Sequence, residues 1–418
     1  MARVVRWALL PLGALGTCPG LQFGTPPQNY AAVPELPTYD SALKTLDLKA
    51  VITDLQAAFT NSQECWPADF GHYGPLFVRL AWHCSGSYRE TDGHGGCSGG
   101  RQRFEPERSW ADNTNLDKAR GLLWPIKEKY GDGLSWGDLF ILAGTTAIKT
   151  MGGPVTEYCA GRIDSPDGTE SLDLGPSPEQ EKYAPCAVNG TCKRPLGSTT
   201  VGLIYLNPEG PVAQQPDGSW AVDPDPAKSA KDVRDAFGRM GMNDSQTVAL
   251  IGGGHTFGKC HGACPAGAGP SPKEDVTNPW PGKCGTGKGT DAFTSGMEGP
   301  WTTNPTSWDN EFFNFLLQFS WEKLQGPGGH WQWRVAGEPK AAGLMRLTSD
   351  VALLHDDSYL SIVKDFANSL PAFDAAFDEA WFKLTTSGGR WSSEKKCIAL
   401  DKIPVSNPRM RADDALFA

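Results

Sequence analysis

The sequence has no basic run to set against its excess of acid: 48 Asp and Glu face 38 Lys and Arg, for a net charge of -10. Such a surface repels polyanions, which argues against nucleic acid as a partner. Beyond Gly20 no apolar stretch approaches the ~20 residues needed to cross a bilayer, so no transmembrane segment is expected. There is no internal repeat and no low-complexity segment. Signals for strands, which alternate with a period of two, are sparse, and the long periodic runs are helical. What is abundant is glycine (49) and proline (33), the composition of a helical protein with long, ordered loops that carry chemistry. With 418 residues, 39% of them hydrophobic and 15 of them tryptophan, the chain can bury one large core or two modest ones.

Residues 1–20 combine a basic start, a short apolar stretch and small residues, the pattern of a secretory signal peptide. An extended, Pro-rich lead-in is expected over 21–46, one continuous domain over 47–390, and a weakly periodic tail over 391–418. Removal of the signal takes Cys18 and leaves an even set of cysteines: Cys65, Cys84, Cys97, Cys159, Cys186, Cys192, Cys260, Cys264, Cys284 and Cys397. In a secreted chain these read as disulfides, although spacing does not give their connectivity. Cys186 with Cys192, and Cys260, Cys264 and Cys284, are close enough in sequence to close small loops; a zinc site at Cys260, His261 and Cys264 is the rival reading, weakened by the lack of a second ligand pair. Asn189 and Asn243 are formal glycosylation acceptors, and loop-borne Asn189 is the better one. Secretion, or another compartment reached by the secretory route such as a complex plastid, is expected.

Helical spacing appears at Leu48, Ile52, Leu55 and Phe59, then after Pro75 through His83, over Leu116 to Tyr130, and from a cap at Ser135 to Gly152. It returns from Asp232 and again at Thr247 to Gly254, behind a cap at Asn243. Further helical runs are expected over Trp308 to Leu324, Ser358 to Ala367 and Pro371 to Leu384, with helix or short strand at Leu347 to Val351. The segment from Ile163 to Thr200 reads as an ordered functional loop.

Arg79, Trp82 and His83 stand at i, i+3 and i+4, so a helix projects all three from one face. A neutral histidine beside a fixed cation is what heterolysis of a peroxide O–O bond needs: a base to move the proton from the inner to the outer oxygen, and a charge to meet the one that develops. The same spacing also fits an amphipathic helix with an ordinary core histidine. His255 follows Gly252, Gly253 and Gly254, which would let backbone pass close to a flat ligand without Cβ contacts. An axial histidine needs an acceptor on its far nitrogen, and Asp350 is a candidate.

Longer motifs add a resemblance. Pro75-Leu-Phe-Val-Arg-Leu-Ala-Trp-His83, Val201-Gly-Leu-Ile-Tyr-Leu-Asn-Pro-Glu-Gly-Pro211, Gly238-Arg-Met-Gly-Met-Asn-Asp244, Ala249-Leu-Ile-Gly-Gly-Gly-His-Thr-Phe-Gly-Lys259 and Gly299-Pro-Trp-Thr-Thr-Asn-Pro-Thr-Ser-Trp-Asp-Asn310 resemble, in that order, the haem domain of catalase-peroxidases. The similarity runs from roughly Leu48 to Leu384. The resemblance covers one copy of the domain, and the second, haem-free copy that the family carries is not expected within these 418 residues. The resemblance implies a mostly α-helical haem peroxidase fold of about ten helices, with haem b between distal and proximal halves, hydrogen peroxide as substrate and a small-molecule or protein electron donor. It implies a distal site of Arg79, Trp82 and His83, with Asn113 fixing the His83 tautomer. It also implies a proximal site of His255 on iron, Asp350 accepting its other N–H and Trp301 stacked beside it. Asp112 and Ser295 match residues of the peroxide channel and the haem-propionate end. Met240, Tyr205 and Trp82 match the covalent Met-Tyr-Trp adduct with which the family oxidises a second peroxide to oxygen. Assembly into an oligomer is compatible with the sequence.

Two departures stand out. Where the family has a mobile arginine, this chain has Ser387, with Arg390 three residues later as a substitute. The loop between Arg162 and Tyr205 is shortened. Similarity to ascorbate peroxidases, a related branch, implies a potassium or sodium site at Thr256, Thr302, Asn304 and Asp309, for which helix caps are the alternative; Thr294 stands where those enzymes hold the arginine that binds ascorbate, so ascorbate is not the expected donor.

Overall fold

The computed structural model describes residues 32–64, 66–110, 113, 115–174, 206–214, 216–260, 268–276, 297–326 and 330–402. Asp112, Tyr205, Thr294 and Ser295, the signal segment, Asn189, His261 and Cys65, Cys186, Cys192, Cys264 and Cys284 lie outside them. Eleven α-helices and nine short strands are present among the described residues. Helices α1 (Leu36–Thr45), α2 (Leu48–Thr60), α3 (Gly74–Ser85), α4 (Leu116–Tyr130) and α5 (Trp136–Thr150) build the first half. The expected starts are chemically real: Asp47 caps α2, Pro75 opens α3, and the Ser135 hydroxyl accepts from the Asp138 N–H at 3.1 Å. The site helix α3 lies on α5, which is buried along almost its whole length. They approach closely at Gly144, where a Cβ would sit 2.4 Å from that of Ala81.

The second half is α6 (Pro226–Arg239), α7 (Asp244–His255), α8 (Glu311–Gln318), α9 (Thr348–Val351), α10 (Asp357–Asn368) and α11 (Leu370–Thr386). Asn243 caps α7 through a reciprocal capping box with Gln246, so its side chain is committed to the helix end. Arg234 on α6 bridges Asp244 on α7 (3.0 Å) and Asp356, the cap of α10 (2.8 Å). The glycines before His255 serve packing as well as clearance. A Cβ at Gly252 would meet Phe313 at 2.1 Å and one at Gly253 would meet Phe377 at 2.2 Å, whereas at Gly254 nothing lies within 4 Å. Only Gly254 thus fits the clearance expected for all three.

Among the described residues the strands pair in small antiparallel sheets. These are β1 (Glu157–Arg162) with β9 (Trp391–Ala399), β2 (Val212–Gln214) with β3 (Trp220–Val222), β4 (Lys259–Cys260) with β5 (Gly299–Pro300), and β6 (Trp321–Gln325), β7 (Trp331–Val335) and β8 (Met345–Arg346) in sequence. Three expectations need correction here. The helical run over Trp308 to Leu324 stops at Gln318 and turns into β6, because its Phe- and Leu-rich stretch suits either state and β7 supplies a partner. The lead-in over 21–46 contains α1, whose Tyr39 hydroxyl donates to buried Asp138 at 2.9 Å. The tail over 391–418 begins as β9, in register with β1 and bonded to it by the Cys159–Cys397 disulfide. A second disulfide joins Cys84 to Cys97, and Cys260 is a free thiol.

Candidate active site

Helix α3 carries Arg79, Trp82 and His83, all half-buried, on the face the spacing implies. His83 Nδ1 lies 3.0 Å from Asn113 Oδ1, and the Asn113 amide donates in turn to the Glu107 carbonyl at 2.7 Å. The amide is therefore locked with its oxygen toward the imidazole, so Nδ1 carries the proton and Nε2 is left as the basic nitrogen. The Trp82 ring stacks on Phe237 of α6 with centroids 5.4 Å apart. That contact brings up the helix end on which Met240 sits, buried, three residues further on.

His255 ends α7. Its Nδ1 is 2.8 Å from Asp350 Oδ1, while Asp350 Oδ2 accepts from Trp301 Nε1 at 2.9 Å and from the Leu347 N–H at 2.8 Å. The Trp301 ring lies nearly parallel to the imidazole, 4.3 Å away at 10°. Burial alone would raise the Asp350 carboxyl, but His255, Arg346 and the Leu347 N–H outweigh it and hold it below the ordinary carboxylate value. Arg346, fully buried, also donates to the carbonyls of Trp301 (2.8 Å) and Phe312 (3.0 Å) and lies between the rings of Phe312 and Trp321. Sequence reasoning missed it, along with Phe237; neither falls in a spacing pattern, and only a charge near Asp350 hinted at Arg346.

The two halves meet where Gly258, three residues past His255, approaches Pro75 at the start of α3; a Cβ there would lie 3.0 Å from the proline ring. Burial pushes the Cys260 thiol well up, Glu298 and Asp350 push it further, and Arg79 opposes, so the distal guanidinium and the proximal carboxylate act on the same side chain. The residues present fit a haem iron. A buried carboxylate acceptor on Nδ1 holds a proton there and turns Nε2 away from it as the donor that iron would take, and Gly254 leaves the adjoining helix surface open.

Of the four cation candidates, Thr256, Thr302 and Asp309 are buried together and Asn304 is half-buried. The Thr302 hydroxyl donates to the Thr256 carbonyl at 3.0 Å, and that of Thr256 is 3.3 Å from the Asp309 carbonyl. Asp309 Oδ1 accepts from the Glu311 N–H at 3.0 Å, while Oδ2 is buried without a hydrogen-bond partner. Burial, with Glu311 nearby, raises the Asp309 carboxyl well above its usual value. At the departures, the Ser387 hydroxyl donates to the Lys383 carbonyl at 2.6 Å. Arg390 does not turn inward: its side chain is 56% exposed and its guanidinium pairs with Glu170 at 3.3 Å.

The family described as Peroxidase matches residues 51–369. The chain belongs to the peroxidase family. Within it, the chain is 48% identical to a catalase-peroxidase of Halobacterium salinarum over 408 residues, 91% of this chain and 55% of that one. It is 47% identical to the catalase-peroxidase of Salinibacter ruber over 363 residues (83% and 49%) and 48% identical to that of Caulobacter vibrioides over 365 residues (83% and 48%). The chain thus spans about half the length of the curated relatives it matches. No helix among the described residues is long and apolar enough to cross a membrane.

Proposed function

We propose that this peroxidase is a haem b catalase-peroxidase, which reduces hydrogen peroxide with one-electron donors and disproportionates it to water and oxygen. The observation that carries the reading is the pairing of two oriented histidines: His83 fixed by Asn113 on the distal helix, and His255 fixed by Asp350 at the end of α7. His255 would hold the haem, which supplies the redox chemistry. His83 Nε2 takes the proton of the inner peroxide oxygen and delivers it to the outer one, so that water leaves, while Arg79 meets the developing negative charge. Trp301 would give or pass an electron; its bond to Asp350 and its ring parallel to the imidazole support that role.

Oxygen formation would rest on an adduct of Trp82, Tyr205 and Met240, with Asp112 and Ser295 along the channel. Oxygen release from peroxide by the haem-loaded protein, abolished by Tyr205→Phe, supports the full reading. Donor oxidation without oxygen release favours the second one, a plain haem peroxidase with weak catalase activity. That alternative is favoured by Ser387 and by the outward pairing of Arg390 with Glu170. The orphaned Asp309 Oδ2 supports a resident potassium or sodium ion at Thr256, Thr302, Asn304 and Asp309; Asp309→Asn should remove any potassium-dependent rise in melting temperature. Two disulfides suit an oxidising compartment reached by the secretory route.

A further inference from the structure

Two restraints act on the distal histidine, and one buried guanidinium joins them. The first holds the ring, through Asn113 Oδ1 and from there to the Glu107 carbonyl. The second holds the backbone: Cys84, the residue after His83, is bonded to Cys97 in the loop opposite, and both are buried. Arg101 is 4% exposed and reaches both. Its Nη2 donates to the Gly96 carbonyl at 3.0 Å and its Nη1 to the Ser98 carbonyl at 2.5 Å, the carbonyls of the residues before and after Cys97. Its Nε is 3.4 Å from Glu107 Oε1 and donates to the Ser171 hydroxyl at 3.0 Å, which itself donates to Glu107 at 2.6 Å. The loop is gripped from outside as well, where Ser98 Oγ accepts from the Arg390 N–H and donates to the Arg390 carbonyl, each at 2.9 Å.

A buried ion pair is a poor source of net stability, since desolvation offsets its attraction, but a strong directional constraint once formed. Proton transfer is the step that needs such a constraint, because a base displaced by about 1 Å loses on the order of a hundredfold in rate.

We propose that Arg101, Glu107 and the Cys84–Cys97 disulfide form a positioning unit that ties the ring and the backbone of His83 to one rigid support. The inference rests on the reading of His83 as the proton-transfer base. None of the unit's groups touches the reacting atoms; it acts through Asn113 and through the end of α3.

The test compares the full-length haem-loaded protein with Cys84→Ala/Cys97→Ala and with Cys159→Ala/Cys397→Ala. Two quantities are read: hydrogen exchange at the amides of residues 83–86 without peroxide, and the association rate of hydrogen cyanide across pH, which needs a distal base to take its proton. The first double variant should exchange at least about tenfold faster there, bind cyanide on the order of tenfold to a hundredfold more slowly with a displaced pH profile, and keep the absorption spectrum of His255 ligation. The second should melt lower and leave both quantities at their wild-type values. Wild-type behaviour of the first variant, or equal changes in both, overturns the inference. If the first variant does not fold, Glu107→Gln, which keeps both disulfides, should slow cyanide association by about tenfold, and a wild-type rate in it overturns the inference equally. Failure of the unmutated protein to bind haem or react with peroxide would instead count against the function proposed above.

Discussion

Asp350→Asn exchanges one carboxylate oxygen for an NH2 group and changes little else in size, so the three donors around it decide the outcome. Oδ2 receives two N–H groups, from Trp301 and Leu347, and Oδ1 faces one, on His255. If the amide turns its oxygen toward His255, two buried donors lose their acceptor, each at a cost of about 1–3 kcal/mol. If it keeps its oxygen toward Trp301 and Leu347, only the histidine side is affected, and the second arrangement wins by one such term. The NH2 then meets Nδ1, which can answer as an acceptor by moving its proton to Nε2. That tautomer has no lone pair for iron. Restoring it leaves two N–H groups facing each other, again about 1–3 kcal/mol, so haem should bind about 5- to 150-fold more weakly. Titration with haem, followed by absorption, measures this directly. Melting of the haem-free variant should fall by only about 2–4 °C, because all three bonds to the carboxylate lose the assistance of its charge, at about 1 kcal/mol each, spread over a long chain. Wild-type haem affinity would refute the reasoning, and collapse of the haem-free fold would show that Asp350 is chiefly a structural group.

His72 should control acid stability. Burial pushes its imidazole down to about 4, and its Nδ1 accepts from the Gly74 N–H at 2.8 Å, which requires the neutral form. The contribution is therefore complete above the unfolded value of 6.5 and is lost as pH falls from there toward about 4, a loss on the order of 3 kcal/mol; His72→Asn, which keeps an acceptor but does not titrate, should flatten a denaturation series over that range. Removing the Cys159–Cys397 bond, which spans a sequence separation of 238, should cost about 5 kcal/mol on the loop-entropy argument, read as a lower denaturant midpoint. Gly253→Ala should destabilise by about 1–3 kcal/mol through overpacking against Phe377, while Gly254→Ala should leave the haem-free protein near wild type in the same measurement.

The shared face of Arg79, Trp82 and His83 was the most legible feature of the sequence, because the three side chains lie on one helix and a fixed spacing reports one face. Most helices were legible for the same reason. Asp350 could only be named as a candidate acceptor: it stands 95 residues from His255 in a helix of four residues, too short to leave a periodic signal. Cys84–Cys97 and Cys159–Cys397 were hidden because pairing depends on which loops and strands the fold brings together. Strand β9 was hidden because Ser392 to Lys396 are polar and its partner lies far back in the sequence, at β1. Arg101 and Glu107 belong to no motif, and burial is what makes them informative.

The seating of α3 at Gly144 has a consequence for how this enzyme can diverge. The depth at which α3 sits on α5 is limited by the absence of a side chain at Gly144. A methyl group there would stand 2.4 Å from the Ala81 Cβ, so α3, which bears Arg79, Trp82 and His83, and α5 would have to move apart. The room beside Arg79, Trp82 and His83 can therefore be retuned from the far side of the helix, leaving the identity of all three side chains unchanged.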